Sequence, residues 1–124
     1  MDEKQRHEQG LTIRKAVLGE EHVARAQSDE NNFNSAFQDL ITRFAWGEIW
    51  ARPGLDRKTR SLITMAMMVA LNRSDELRLH LRGAKNNGAT NDEIREVLLH
   101  SAIYCGVPAA NSGFHIAQEE LSGF

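Results

Sequence analysis

Residues 74–88 read "SDELRLHLRGAKNNG", and their spacing predicts one complete amphipathic helix. Leu77, Leu81 and Ala84 recur at the steps that line one face of a 3.6-residue period. Ser74 suits the N-cap, where a hydroxyl accepts from a free amide, and Asp75 and Glu76 complement the positive end of the helix dipole. Gly88 can take the left-handed position that closes a helix. A helix so bounded needs helical partners to cover its apolar stripe.

The flanking segments supply them. Upstream, "RKTRSLITMAMMVALN" (57–72) is apolar on every side in its second half, so it is expected to form the buried centre, with Asp56 as its cap. Downstream, Thr90 and Glu93 form a capping-box pattern for "NDEIREVLLHSAIYCG" (91–106), whose Ile94, Val97, Leu98, Ser101, Ala102 and Cys105 make a stripe of small and apolar residues. Pro108 fits the first turn of a last helix. Toward the N-terminus, Phe33, Phe37, Leu40, Ile41 and Phe44 predict one face of a long helix that continues through "AWGEIW" and closes at Pro53 and Gly54. Before it, "LTIRKAVLG" (11–19) and "EEHVARAQSDENN" (20–32) read as two weaker amphipathic stretches, the second ending in an Asn-rich loop. No strand-like alternation competes, so the expected fold class is all-α.

The chain has 124 residues, 41% of them hydrophobic, enough for one modest core and a single domain. A formal net charge of −2 offers no strong attraction to nucleic acid or to an anionic membrane. A small, roughly neutral partner is expected. One cysteine, Cys105, allows neither an internal disulfide nor a thiolate metal set, which fits a reducing compartment. The polar start "MDEKQRHEQG" is unlike a signal peptide, and the apolar run 62–71 is far short of the about 20 residues a bilayer requires. A cytoplasmic location is expected.

Within this frame His80 is out of place. It shares the apolar stripe of Leu77, Leu81 and Ala84, and it follows Glu76 by one turn, where the two side chains can touch. A carboxylate beside an imidazole orients it and gives a proton donor or acceptor that works near neutral pH. A lone histidine on an apolar face is more often a satisfied core residue. Arg60, one turn into the preceding helix, offers a fork of donors suited to a carboxylate, or to an ordinary salt bridge. Trp46 and Trp50 at helical spacing read as core or interface, and Met65, Met67 and Met68 as packing. His22, His100 and His115 are too scattered in sequence for a metal set, and no phosphate loop or nucleophile elbow is present.

The stretches "WGEIWARPGLDRKTRSLITMAMMVALNR" and "ELRLHLRGAKNNGATNDEIREVLLHSAIYCGVPAANSGFHIAQE" resemble the gamma-carboxymuconolactone decarboxylases of the beta-ketoadipate pathway. The resemblance extends through "RKAVLGEEHVARA" and so covers nearly the whole chain, which it divides into an N-terminal helical extension (1–32) and a core (33–122). It implies an alkylhydroperoxidase D-like all-α bundle of about six helices that assembles into a homo-oligomer, trimer-based and commonly a hexamer. Redox members of that superfamily carry a C-x-x-C-x-x-x-H motif with an upstream acid. With His80 at the motif histidine, Arg73 and Glu76 stand at the two cysteine positions and Ser61 at the acid. Thiol peroxidase chemistry is thereby excluded, because it needs an attacking thiolate and a resolving sulfur.

What the resemblance implies instead is a decarboxylation without cofactor or metal, in which the substrate is its own electron sink. His80, oriented by Glu76, is the expected proton donor, and Arg60 the clamp for the retained carboxylate. Trp46 is a candidate apolar wall, with His115 or His22 as further donors. Two other readings stay open: a decarboxylase of another small carboxylated lactone or beta-keto acid, and a catalytically silent helical oligomer that binds a ligand.

Overall fold

A computed structural model describes all 124 residues, and every regular element in it is helical. The chain folds as two compact units, Met1–Asp56 and Arg57–Phe124.

The first unit holds α1 (Glu3–Leu18), α2 (Glu20–Ser28) and α3 (Ser35–Leu40), which runs on directly into a π-helical segment, Ile41–Ile49. Helix α1 begins eight residues before the predicted stretch. Asp2 caps it by accepting from the Gln5 amide at 2.8 Å, while Gln5 Oε1 accepts from the Asp2 amide at 3.0 Å. The Asn-rich loop is a compact turn in which Asn31 Oδ1 accepts from the amides of Phe33 and Asn34 at 2.8 and 3.1 Å.

The predicted single long helix is thus an α-helix with a widened continuation, and its exposed side is the opposite of the one the phenylalanines suggest. Phe33, Phe37, Leu40 and Phe44 are exposed, while Thr42, Trp46 and Gly47 are buried. The reason is the approach of α1, which packs on the segment through glycine. A Cβ on Gly10 would overlap the Thr42 carbonyl oxygen and stand 2.8 Å from the Gly47 amide nitrogen, and one on Gly47 would overlap the Arg6 carbonyl oxygen. Backbone thereby meets backbone where bulky residues could not enter. Gln9 Nε2 donates to the Gly47 carbonyl at 3.1 Å, and Arg6 pairs with Glu48 at 2.5 Å. Arg14 is buried in the same unit and donates to Gln38 Oε1 and Thr42 Oγ1 at 3.2 and 3.4 Å. Desolvation lowers its pKa, partly offset by the charge of Glu30.

The second unit is a bundle of α4 (Arg57–Ala70), α5 (Ser74–Asn86), α6 (Asn91–Tyr104) and α7 (Val107–Glu120). Its core joins Met65 and Val69 of α4, Leu77, Leu81 and Ala84 of α5, Ile94 and Leu98 of α6, and Ile116 and Ala117 of α7. The Thr90–Glu93 capping box forms as predicted, Pro108 lies in the first turn of α7, and Gly88 adopts φ 89° after α5. Ser74 does not cap α5. It is the first helical residue, and Arg73 holds the cap position without a side-chain bond.

Helix α4 is also not buried on all sides. Ser61, Met65 and Val69 face the bundle, whereas Ile63, Met67 and Leu71 remain exposed, because α5, α6 and α7 cover only one side of it. Glu120 ties α7 to α5 by accepting from Arg78 at 2.7 Å and from Arg82 at 2.7 Å.

Candidate functional site

The second unit holds Arg60, Glu76, His80 and His115, on α4, α5 and α7, and these three helices pack against one another. Arg60 lies in the first turn of α4. Its backbone is fixed by Thr64, whose hydroxyl donates to the Arg60 carbonyl at 2.8 Å, and its side chain is half-buried with Nε shielded from solvent. His80 is half-buried between the fully buried Leu77 and Leu81, and its Nδ1 is shielded from solvent. The apolar register of α5 sets this placement, since His80, three residues after Leu77, lies at the edge of the face that the two leucines bury. Glu76 is exposed, one turn before His80 on the same helix, and His115 is exposed on α7.

Trp46 and His22 belong to the first unit. Trp46 is buried in the π-helical segment and stacks on Trp50, with ring centroids 4.8 Å apart and planes inclined by 27°. His22 lies half-buried on α2. A groove of about 460 Å³ runs between α6 and α7, floored by Ile94, Leu98 and Phe114, and none of the predicted residues lines it. No three His, Cys, Asp or Glu side chains cluster in a way that could hold a metal ion.

One further feature, without a signal in the local sequence, stands beside Arg60. Ser61 is fully buried among the apolar residues of α4, and its hydroxyl accepts from Nδ2 of Asn87, at the end of α5, at 2.9 Å. The "NNG" run signals a helix end, but nothing local in it signals a bond to a residue 26 positions earlier.

These elements give the second unit a cation, an imidazole and a carboxylate on adjoining helices with an apolar core beneath. Such a set can hold an anionic group and move a proton. Residues 35–119 match the model of the carboxymuconolactone decarboxylase family. A protein of Acinetobacter baylyi named 4-carboxymuconolactone decarboxylase is 55% identical over 119 residues, which span 96% of this chain and 89% of that one. A nitrosuccinic acid decarboxylase of Metarhizium robertsii is 45% identical over 115 residues, 93% of this chain and 80% of its own. A 4-carboxymuconolactone decarboxylase sequence of Pseudomonas putida is 52% identical over 48 residues, 39% of this chain and the whole of that sequence. The family model takes in the π-helical segment and all four helices of the second unit, and the first two relatives extend the likeness over most of α1 and α2. The chain belongs to the carboxymuconolactone decarboxylase family.

Proposed function

We propose that the protein decarboxylates 4-carboxymuconolactone to the beta-ketoadipate enol-lactone. The observation that carries this reading is the 55% identity, over 96% of the chain, to a protein named for that reaction. Cleavage of the bond between the ring carbon and its carboxylate releases carbon dioxide. The bonding electron pair passes through the ring double bond into the lactone carbonyl, giving a dienolate. A proton delivered to the carbon next to that carbonyl completes the product. The substrate supplies the electron sink, so the protein needs only to hold the retained acetate carboxylate, favour charge on the carbonyl oxygen and deliver the proton.

Arg60 is assigned to the carboxylate, as a charge-assisted and bidentate donor. His80 is assigned to the proton, with Glu76 one turn away as the group that orients it. His115, on α7 of the same unit, is a secondary candidate as donor. A homo-oligomer is part of the same reading. Ile63 and Met67 on α4, Leu71 just after it, and Ile103, Tyr104 and Val107 around the end of α6, are large apolar residues left exposed by a single chain, as in subunits that complete their surfaces by association.

The Metarhizium relative favours a second, minor activity on nitrosuccinic acid. That compound is also a dicarboxylic acid. Loss of the carboxylate from the nitro-bearing carbon puts the electron pair into a nitronate, and a proton then returns to the same carbon. Retained carboxylate, oxygen-based sink and proton donor are common to both reactions.

Mixing the purified protein with enzymatically made carboxymuconolactone, without added metal or coenzyme, tests the reading. Release of carbon dioxide with appearance of the enol-lactone is the expected result. No release above the uncatalysed rate would contradict it, and release from nitrosuccinate alone would move the activity to the second substrate.

A further inference from the structure

We infer that Asn87 is a positioning residue for the proposed reaction, fixing the separation between the carboxylate clamp on α4 and the proton donor on α5. The inference rests on the assignment of Arg60 and His80 above. Its own ground is a hydrogen bond that ties the residue beside Arg60 on α4 to the C-terminal end of α5, two turns beyond His80. Ser61 is fully buried on the core-facing side of α4, one turn before Met65, where an unsatisfied hydroxyl would be costly. Its Oγ accepts from Asn87 Nδ2 at 2.9 Å, and the same amide nitrogen is 3.4 Å from the Arg57 carbonyl oxygen. The first turn of α4, with Arg60 in it, is thus attached by two bonds to one side chain of another element.

The backbone that carries this side chain is itself held. The Asn87 backbone amide donates to the carbonyls of Gly83 and Ala84 at 3.0 and 3.2 Å, and the Ala89 amide donates back to Ala84 at 2.9 Å across Gly88. Asn87 is the C-cap of α5 and follows His80 by seven residues, two helical turns or about 10 Å along the axis. The two residues therefore move together. Any sliding of α5 along α4 that carried His80 away from Arg60 would break the Asn87–Ser61 bond. At the position where the resemblance puts an acid in redox relatives, this chain thus has a hydroxyl that joins helices.

The experiment compares Asn87→Ala and Ser61→Cys with the unaltered protein, measuring kcat, KM and Tm on carboxymuconolactone. Ser61→Cys keeps the volume and replaces a good acceptor by a weak one, so it guards against a fold failure in Asn87→Ala. Arg60→Lys and His80→Gln serve as controls for the assignment on which the inference rests. The expected result, well below Tm, is a fall in kcat of about tenfold for each of Asn87→Ala and Ser61→Cys, with the double variant little worse than either single one. A lowered Tm with kcat and KM unchanged would show an ordinary structural bond and overturn the inference, leaving the assignment standing if the controls lose activity. Controls with normal kcat and KM would overturn the assignment and this inference with it.

Discussion

At the scale of single residues the account rests on one imidazole and one guanidinium. Replacing His80 by Gln keeps size and polarity but removes the titrating group, so kcat should fall about a hundredfold or more if it delivers the proton, as steady-state kinetics at neutral pH would show. Lysine in place of Arg60 keeps the charge but loses the fork. KM should then rise about tenfold while kcat changes less, the pattern of lost substrate binding. Both residues are legible in the sequence because periodicity exposes them: a histidine inside an apolar stripe and an arginine at the start of an apolar helix are local anomalies. Asn87 has no such signal. Its bond to Ser61 spans 26 residues, and its own neighbourhood reads only as a turn.

At the scale of elements, the glycine crossing of α1 over the π-helical segment makes the sharpest prediction. Alanine favours a helix over glycine by about 1 kcal/mol, yet at Gly10 its methyl group would overlap the Thr42 carbonyl oxygen. Overpacking of this kind costs about 1–3 kcal/mol, so Gly10→Ala should lower the thermal midpoint instead of raising it. The contact of α7 with α5 makes another. The hydrogen bond from Arg82, then that from Arg78, holds the Glu120 carboxyl below its usual range. Because the folded pKa is depressed, the stabilisation is present above the ordinary carboxylate range, about 4.3, and is lost as pH falls through the lower folded value. Thermal melts should therefore show Glu120→Gln less stable than the unaltered chain at pH 7, with the gap closing in acid.

The Thr90–Glu93 capping box lies within four residues and is read correctly from sequence, whereas Ser74, read as a cap, is the first helical residue of α5. The Asp2–Gln5 box is of the same local kind and is passed over because no apolar run follows it at once. The π-helical turns and the exposed phenylalanine face could not be read in that way, since both follow from where α1 packs.

At the scale of the whole molecule, no helix is long and apolar enough to cross a membrane, and the apolar side chains around Ile103 and Met67 are left at the surface of one chain. Sedimentation equilibrium should give a mass at least twice the 14.0 kDa of one chain. Aspartate at Ile103, which is 78% exposed, should shift that mass downward if α6 takes part in the contact, with little change in helix content. A mass of one chain for the unaltered protein would contradict the proposed assembly. The all-α class was readable because it depends only on period, whereas the division into units at Asp56 depends on which helices meet.

The most direct measurement of the central claim follows carbon dioxide release from carboxymuconolactone by the unaltered protein and by folded His80→Gln, side by side, with no metal or coenzyme added. The account predicts rapid release by the first and release slowed about a hundredfold or more by the second. Equal rates from both would remove His80 from the reaction and contradict the account.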